Sequence, residues 1–345
     1  MSAFPELVEV SDNHPAQPGA SPPGAVPAGE SPAAPPERTQ PPPKVVALRR
    51  PGRWISAAVV LLFFAAGARS VITNREFQWP VVRQYFTTSA VLHGLLFTLW
   101  LTAVTMVAGF AIGTLLAVLR LSGNPVLSSL SWGYVWIFRS TPLLVQLLFW
   151  FNIGALYPRL SIGIPFGPSL FTADTVNLIG PTAAAVIGLA LHEAAYAAEI
   201  VRGGVLSVDA GQAEAATALG LGRARILRRI VIPQAMRSII PAAGNLLIGT
   251  LKGTSIVSVL AVQDLLYSVQ LIYNRNYLII PLLLVATIWY VVVTSLLTVG
   301  QYYVERHFAR GAARTLPPTP LHRLRVALRT VVARSRGAVL GGGTR

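Results

Sequence analysis

The chain contains no cysteine, which excludes disulfides, zinc–thiolate sites and thiol nucleophiles. Acidic residues are scarce, 13 Asp and Glu against 28 Lys and Arg in 345 residues. Charged residues make up only 12 % of the chain and hydrophobic ones 53 %, too apolar a balance for an ordinary soluble domain. No GxxxxGK[ST] occurs, so the chain has no P-loop with which to bind ATP. His192-Glu193-Ala194-Ala195-Tyr196 begins like a zinc-binding HExxH but ends in tyrosine and lacks the second ligand. Gly220-Leu221-Gly222 follows no strand and is no dinucleotide loop. No catalytic or metal-binding residue is therefore assigned, and none of this points to an enzyme. The net charge of +15 raises the question of nucleic acid, and its distribution argues against that partner.

What the chain does have is a series of long apolar runs. A hydrocarbon core of roughly 30 Å needs about 20 apolar residues per spanning helix. Residues 1–51 hold 13 of the 26 prolines with Gly, Ala and Ser between them, so a disordered tail is expected over 1–50. Lys44, Arg49, Arg50 and Arg53 then abut the run Trp54 to Ala68, which predicts an extra N-terminal transmembrane helix over 54–72. Ala66-Gly67-Ala68 also fits a signal-peptide cleavage site, although fifty Pro-rich residues before it are unusual for a signal. Further spans are predicted over 92–119, 140–157, 181–201, 238–262 and 278–303. Residues 126–138, with Trp132, Tyr134 and Trp136, are expected to begin at the membrane interface. A Pro/Gly-rich loop runs to about Gly180, and the chain ends in a basic tail from 304. The fold class is all-α, a polytopic membrane protein of about six transmembrane helices.

Six spans put both termini, the turn at 120–125 and the loop at 202–237 on one side of the bilayer. That side receives 21 of the 28 basic residues. The other side has five: Arg69, Arg75, Arg83, Arg159 and Arg275. The positive-inside rule therefore predicts that both termini and the loop are cytoplasmic.

The loop 202–237 is polar and Arg-rich between apolar spans. Ala213 to Leu219 is rich in helix formers, and Gly220 supplies a left-handed cap. In Arg223 to Ile230, Ile226, Leu227 and Ile230 share one face and Arg225, Arg228 and Arg229 another. Pro233 is expected to stop this second helix. Read from pattern alone, such a hairpin could simply follow anionic headgroups.

Its spacing is more specific. Glu214-Ala215-Ala216, three residues, Gly220, nine residues, Ile230, one residue, Ile232 and Pro233 resemble the EAA motif of ATP-binding-cassette importer permeases. The resemblance, to the polar amino-acid branch, covers roughly 90–305. It includes Phe138-Arg139-Ser140-Thr141-Pro142-Leu143-Leu144-Val145-Gln146, Tyr196 to Gly204, Gly211-Gln212, Pro233-Gln234-Ala235, Pro241, Asn245 and Lys252-Gly253-Thr254-Ser255. Three positions depart from the branch: Ser140 for Gly, Ile232 for Leu, and Gly253 for Asp, which leaves Lys252 without a neighbouring carboxylate.

The resemblance implies a type I importer permease fold, with a permease transmembrane domain at 90–305. It further implies an ATPase subunit that binds ATP and Mg and docks on the loop, with no cofactor on this chain. An extracytoplasmic solute-binding protein and a second permease copy or paralogue complete the implied assembly. The coupling contacts it implies are Glu214, Ala215, Ala216, Gly220, Ile230 and Pro233. The solute is expected to be a polar amino acid or an amino-acid-like compound, moved across the cytoplasmic membrane.

Ionisable residues inside spans are functional candidates because charge there is costly. His192, Tyr196 and Glu199, at i, i+4 and i+7, share a helix face that could line the solute path. The competing reading is interhelical contact, with Glu199 pairing Arg202. Arg139 and Gln146 are a weaker pair of the same kind, expected at the interface. In the tail 306–345, Leu321, Leu324, Leu328 and Val331 beside Arg323, Arg325 and Arg329 fit either a helix on lipid headgroups or a solvated tail. An ion-coupled secondary transporter of amino acids is the alternative, and the chain lacks the internal repeat such transporters carry.

Overall fold

The computed structural model describes residues 51–163 and 169–308. The Pro-rich tail and the basic stripe of the sequence reading lie outside these residues. The chain divides into two compact units at Phe64/Ala65. Helix α1, Pro51–Thr73, crosses that division, and none of its most apolar stretch is buried. Phe63 and Phe64 are 76 % and 77 % exposed, a condition that water penalises and hydrocarbon does not.

The second unit contains the short α2 (Trp79–Tyr85) and then α3, Ser89–Arg120. Helix α4 (Pro125–Ser140) starts at Asn124, whose side chain accepts from the amides of Val126 and Leu127. Next come α5 (Leu143–Phe151) and α6 (Ile153–Leu156). An antiparallel hairpin, β1 (Arg159–Gly163) and β2 (Ser169–Asp174), follows, with an exposed Arg159–Asp174 ion pair at its open end. The sequence reading expected only a loop here. Beyond α7 (Thr175–Leu178) lie α8 (Pro181–Leu206), α9 (Ala210–Ala218) and α10 (Arg223–Ile226). A π-turn at Leu227–Val231 leads into α11, Ile232–Gly253, which tightens to a 3₁₀ stretch over Thr254–Leu260. Helices α12 (Leu265–Asn276) and α13 (Ile279–Phe308) end the described chain.

Five helices among the described residues are long and apolar enough to cross a membrane. A sixth span is possible if α4 and α5, bent by 103° at their junction, count as one. The span predicted over 140–157 is thus the second arm of a bent pair whose first arm, 125–140, was expected only to begin at the interface. Pro142 pushes Thr141 into extended backbone (φ −104°, ψ 139°), which ends α4 there.

Helix α8 is central: 56 % of its most apolar stretch is buried, against 22 % for α13. Its buried face is mostly alanine, and α3 meets it with Gly109 and Gly113. A Cβ on Gly113 would lie 2.6 Å from the Ala197 Cβ and 2.8 Å from the Ala194 carbonyl oxygen. This G-x-x-x-G spacing lets two backbones approach where side chains could not. The buried threonines of α3 return their hydroxyls to their own helix, Thr102 to the Thr98 carbonyl and Thr105 to that of Leu101. Leu101, Leu147, Leu189 and Val257 form the middle of the core, and Val91, Leu265, Val269 and Leu282 form the part near the start of α3.

Candidate functional site

Two places carry the sequence candidates: a cluster where α4, α5 and α8 meet, and the α9–α10 loop.

At the first, the bend at Thr141-Pro142 frees carbonyl groups that a straight helix would have satisfied. Gln146, 7 % exposed, answers them. Its Nε2 donates towards the Phe138 carbonyl at 2.9 Å, the Thr141 carbonyl at 3.0 Å and the Thr141 hydroxyl at 2.7 Å. The amide oxygen is left facing His192 Nδ1 at 3.2 Å. With Nε2 committed as donor, Oε1 accepts, and the network assigns the imidazole proton to Nδ1. The His192 ring lies 5.1 Å from that of Tyr196, and the Arg139 guanidinium sits over Tyr196 at 5.3 Å. Arg139, Gln146, His192 and Tyr196 thus form one continuous string across three helices. Arg139 and Gln146 were expected at the interface and on a single span; they lie on two helices either side of the bend and join the α8 face.

Glu199 lies on the same face but is already engaged. Arg202 Nη2 approaches one carboxylate oxygen at 2.6 Å, and Arg202 Nε lies 3.2 Å from the same oxygen. This is the intrahelical pairing that the sequence reading held as its alternative.

Glu193 was not picked out from the sequence as a pathway residue. It is 6 % exposed, on the α8 side that meets Gly109. Its Oε2 has no hydrogen-bond partner among the described residues. An acid buried in a helix bundle with one oxygen free is costly and marks a functional candidate. The signal available in sequence was its neighbour: where His192 faces one side of α8, residue 193 turns about 100° towards α3.

The loop is built by local rules. Asp209 caps α9 by accepting from the Gly211 amide at 2.7 Å. Gly220 adopts φ 75°, the Leu221 amide donates to the Ala216 carbonyl at 3.1 Å, and the Gly220 amide to that of Thr217 at 2.9 Å. This is a Schellman closure, in which the left-handed residue satisfies carbonyls the helix end leaves over. Glu214, Ala215 and Gly220 are exposed, Ala216 is buried, and Ile230 is half-buried. Leu219 is 82 % exposed at the tip. Ile226 is buried as its face predicted, while Leu227 is 47 % exposed.

Pro233 does not stop the second helix as expected. It stands in the first turn of α11, directly after the π-turn. A wider turn accommodates a ring that would otherwise strike the carbonyl four residues back, and the helical path continues. The loop is therefore joined to a membrane helix without a break. About midway along α11, Gln301 Nε2 donates to the Pro241 carbonyl at 3.2 Å and the Asn245 side chain at 3.2 Å, tying α11 to α13, and also to Glu305 of its own helix at 2.6 Å. Lys252 is exposed and has no ion pair among the described residues.

Residues 109–310 match the family described as binding-protein-dependent transport system inner membrane component. The chain is 42 % identical over 304 residues to the arginine transport system permease protein ArgU of Corynebacterium glutamicum, a match covering 86 % of this chain and 90 % of that one. It is 35 % identical over 224 residues to the nopaline transport system permease protein NocM of Agrobacterium fabrum, covering 64 % and 90 %. A crystal structure of an amino acid ABC transporter with histidines is similar at a TM-score of 0.54 and 33 % identity, over 63 % of this chain and 94 % of that one. The MetNI methionine ABC transporter shares the fold at a TM-score of 0.53 and 21 % identity, over 64 % and 97 %.

Proposed function

We propose, from the premise that this chain belongs to the family of binding-protein-dependent transport system inner membrane components, that its helices form part of a solute pathway driven by a separate ATPase. The chain is the permease subunit of an ATP-binding-cassette amino-acid importer, a multi-pass inner-membrane protein. In our reading the ATPase docks on the α9–α10 loop, with both termini and that loop in the cytoplasm. Glu214, Ala215, Ala216 and Gly220 make the contact, and Ile230 and Pro233 carry it into α11.

The observation that supports this reading most is the joint between loop and membrane helix. A Schellman-capped tip exposing Leu219 would be pushed by a partner, and the unbroken path through the π-turn would pass that push into α11. A loop that only followed headgroups would need no such joint. An extracytoplasmic binding protein supplies the solute in this proposal, and a second permease copy or paralogue completes the pathway.

The solute we assign is an amino acid with a basic side chain. Two observations support it: the 42 % identical relative is named for arginine, and Glu193 holds an unpartnered carboxylate oxygen inside the bundle. The string Arg139–Gln146–His192–Tyr196 is proposed to line the path, with Glu199 kept in register by Arg202.

The test is purification of the tagged full chain from native membranes in mild detergent, with copurifying chains identified by mass spectrometry. A P-loop ATPase in stoichiometric amount is expected, together with a second permease if the assembly is a heterodimer. Folded protein that reproducibly lacks any ATPase would remove the coupling role and return ion-coupled transport as the explanation.

A further inference from the structure

A cavity of about 890 Å³ opens between the start of α3, the start of α8, the segment 261–263 and α12. None of Arg139, Gln146, His192 and Tyr196 lines it, and its size falls in the range of small-molecule sites, roughly 300–1,000 Å³. Its wall has one chemical bias. Arg275, His93, Gln263 and Asn276 line it, and no acidic residue does among those described. Neither Arg275 nor His93 has an ion pair among the described residues. Asp264, next to Gln263 in sequence, is no counter-charge there. It is fully buried, and its carboxylate accepts from the amides of Leu266 and Tyr267. The Tyr290 hydroxyl occupies the remaining side at 3.4 Å.

Arg275 lies in the last turn of α12, where the helix dipole favours positive charge. Asn276 next to it is fixed by donating to the Tyr85 hydroxyl at 3.3 Å and accepting from the Leu278 amide at 3.0 Å. Phe97, one turn after His93 on α3, and Leu271, one turn before Arg275 on α12, add apolar surface beside these donors. A guanidinium without an ion pair among the described residues, flanked by neutral donors and apolar side chains, fits an anionic group on an aliphatic stem. A planar guanidinium suits a carboxylate best among such anions.

We propose that this cavity is a receiving site for the carboxylate of the amino-acid solute, at the outer mouth of the pathway. Placing the mouth outside rests on the importer reading and its positive-inside orientation; the binding chemistry does not. A recess of this volume has room for a whole free solute, the anion at Arg275 and its stem against the apolar side chains. The solute's carboxylate is held by Arg275 and its stem by Phe97 and Leu271 before it passes inward.

The experiment uses the purified full chain in lipid nanodiscs, with L-arginine and L-arginine amide as probes and titration by saturation-transfer NMR. The amide keeps the side chain and removes the anion. The wild type should bind L-arginine about tenfold more tightly than the amide, as loss of a charge-assisted pair implies. Arg275→Gln should erase that preference, and His93→Gln should reduce it. Equal binding of both probes by the wild type overturns the proposal, whatever the variants do. So does a preference that persists in Arg275→Gln and is lost in Arg139→Gln, which would move the carboxylate to the membrane interior. If Arg275→Gln fails to fold, Arg275→Lys takes its place, and a weakened preference is the supporting result. Absence of ATP-driven uptake with the binding preference intact would sink the importer reading and leave the site standing.

Discussion

Gln146 shows how one side chain ties a backbone fault to a polar site. Its amide donates into the gap opened by Pro142, and the oxygen left over fixes the tautomer of His192. Asp264 works similarly outside the spans, capping α12 while fully buried. Burial pushes its carboxyl from the usual value up to about 6, against the pull of its two amide hydrogen bonds. The unfolded chain titrates near 3.9. Between roughly pH 4 and 6 the folded protein therefore holds more protons than the unfolded one, so stability falls as pH rises through that window. The contribution is roughly 2–3 kcal/mol. The thermal midpoint of detergent-solubilised protein should be higher at pH 4.5 than at pH 7. Asp264→Asn keeps an acceptor for the α12 amides and should shrink that difference. An equal difference in the variant would show that another group carries it.

At the scale of elements, two prolines meet different fates. Pro142 leaves an extended residue before it and a 103° bend, because no turn of the chain absorbs the missing donor. Pro233 follows a π-turn and sits in a helix that runs on to Gly253. The difference sets what each joint can do: the first makes a niche for polar groups, the second makes a lever. The lever depends on Gly220. A Cβ there would touch nothing within 4 Å, so the whole cost of substitution lies in the backbone. Forcing a β-branched residue into φ 75° costs about 1–2 kcal/mol and spoils the Schellman closure. Gly220→Val should abolish transport and ATPase stimulation while membrane insertion stays normal, as judged by fractionation. Gly220→Asn, which tolerates the left-handed region, should retain much of both. Full ATPase stimulation in the valine variant would end the coupling role of this loop.

At the scale of the molecule, alanine and glycine decide the arrangement more than the large residues do. Helix α8 is surrounded because its buried face is small, and α3 approaches it along Gly109 and Gly113. Charge then sets the expected orientation. The absence of cysteine makes that testable without first stripping the chain of native thiols. Tyr277 is 83 % exposed between α12 and α13, and Leu219 is 82 % exposed at the loop tip. In intact cells a membrane-impermeant maleimide should label Tyr277→Cys at once and Leu219→Cys only after permeabilisation. The opposite pattern would invert the topology.

The sequence by itself was enough for the helical class, the apolar spans over α3, α8, α11 and α13, the left-handed cap at Gly220 and the family resemblance. These are legible because they depend on composition, periodicity and spacing within a short window. It also placed His192 and Tyr196 on one face of α8, since helical geometry is local. It could not bring Arg139 and Gln146 to that face, because a bend of 103° between them is an outcome of how freed carbonyls are satisfied across helices. Nor did it single out Glu193 or the Arg275 cavity. An unpartnered oxygen and a wall without acid are properties of what surrounds a residue, and tertiary packing alone decides that.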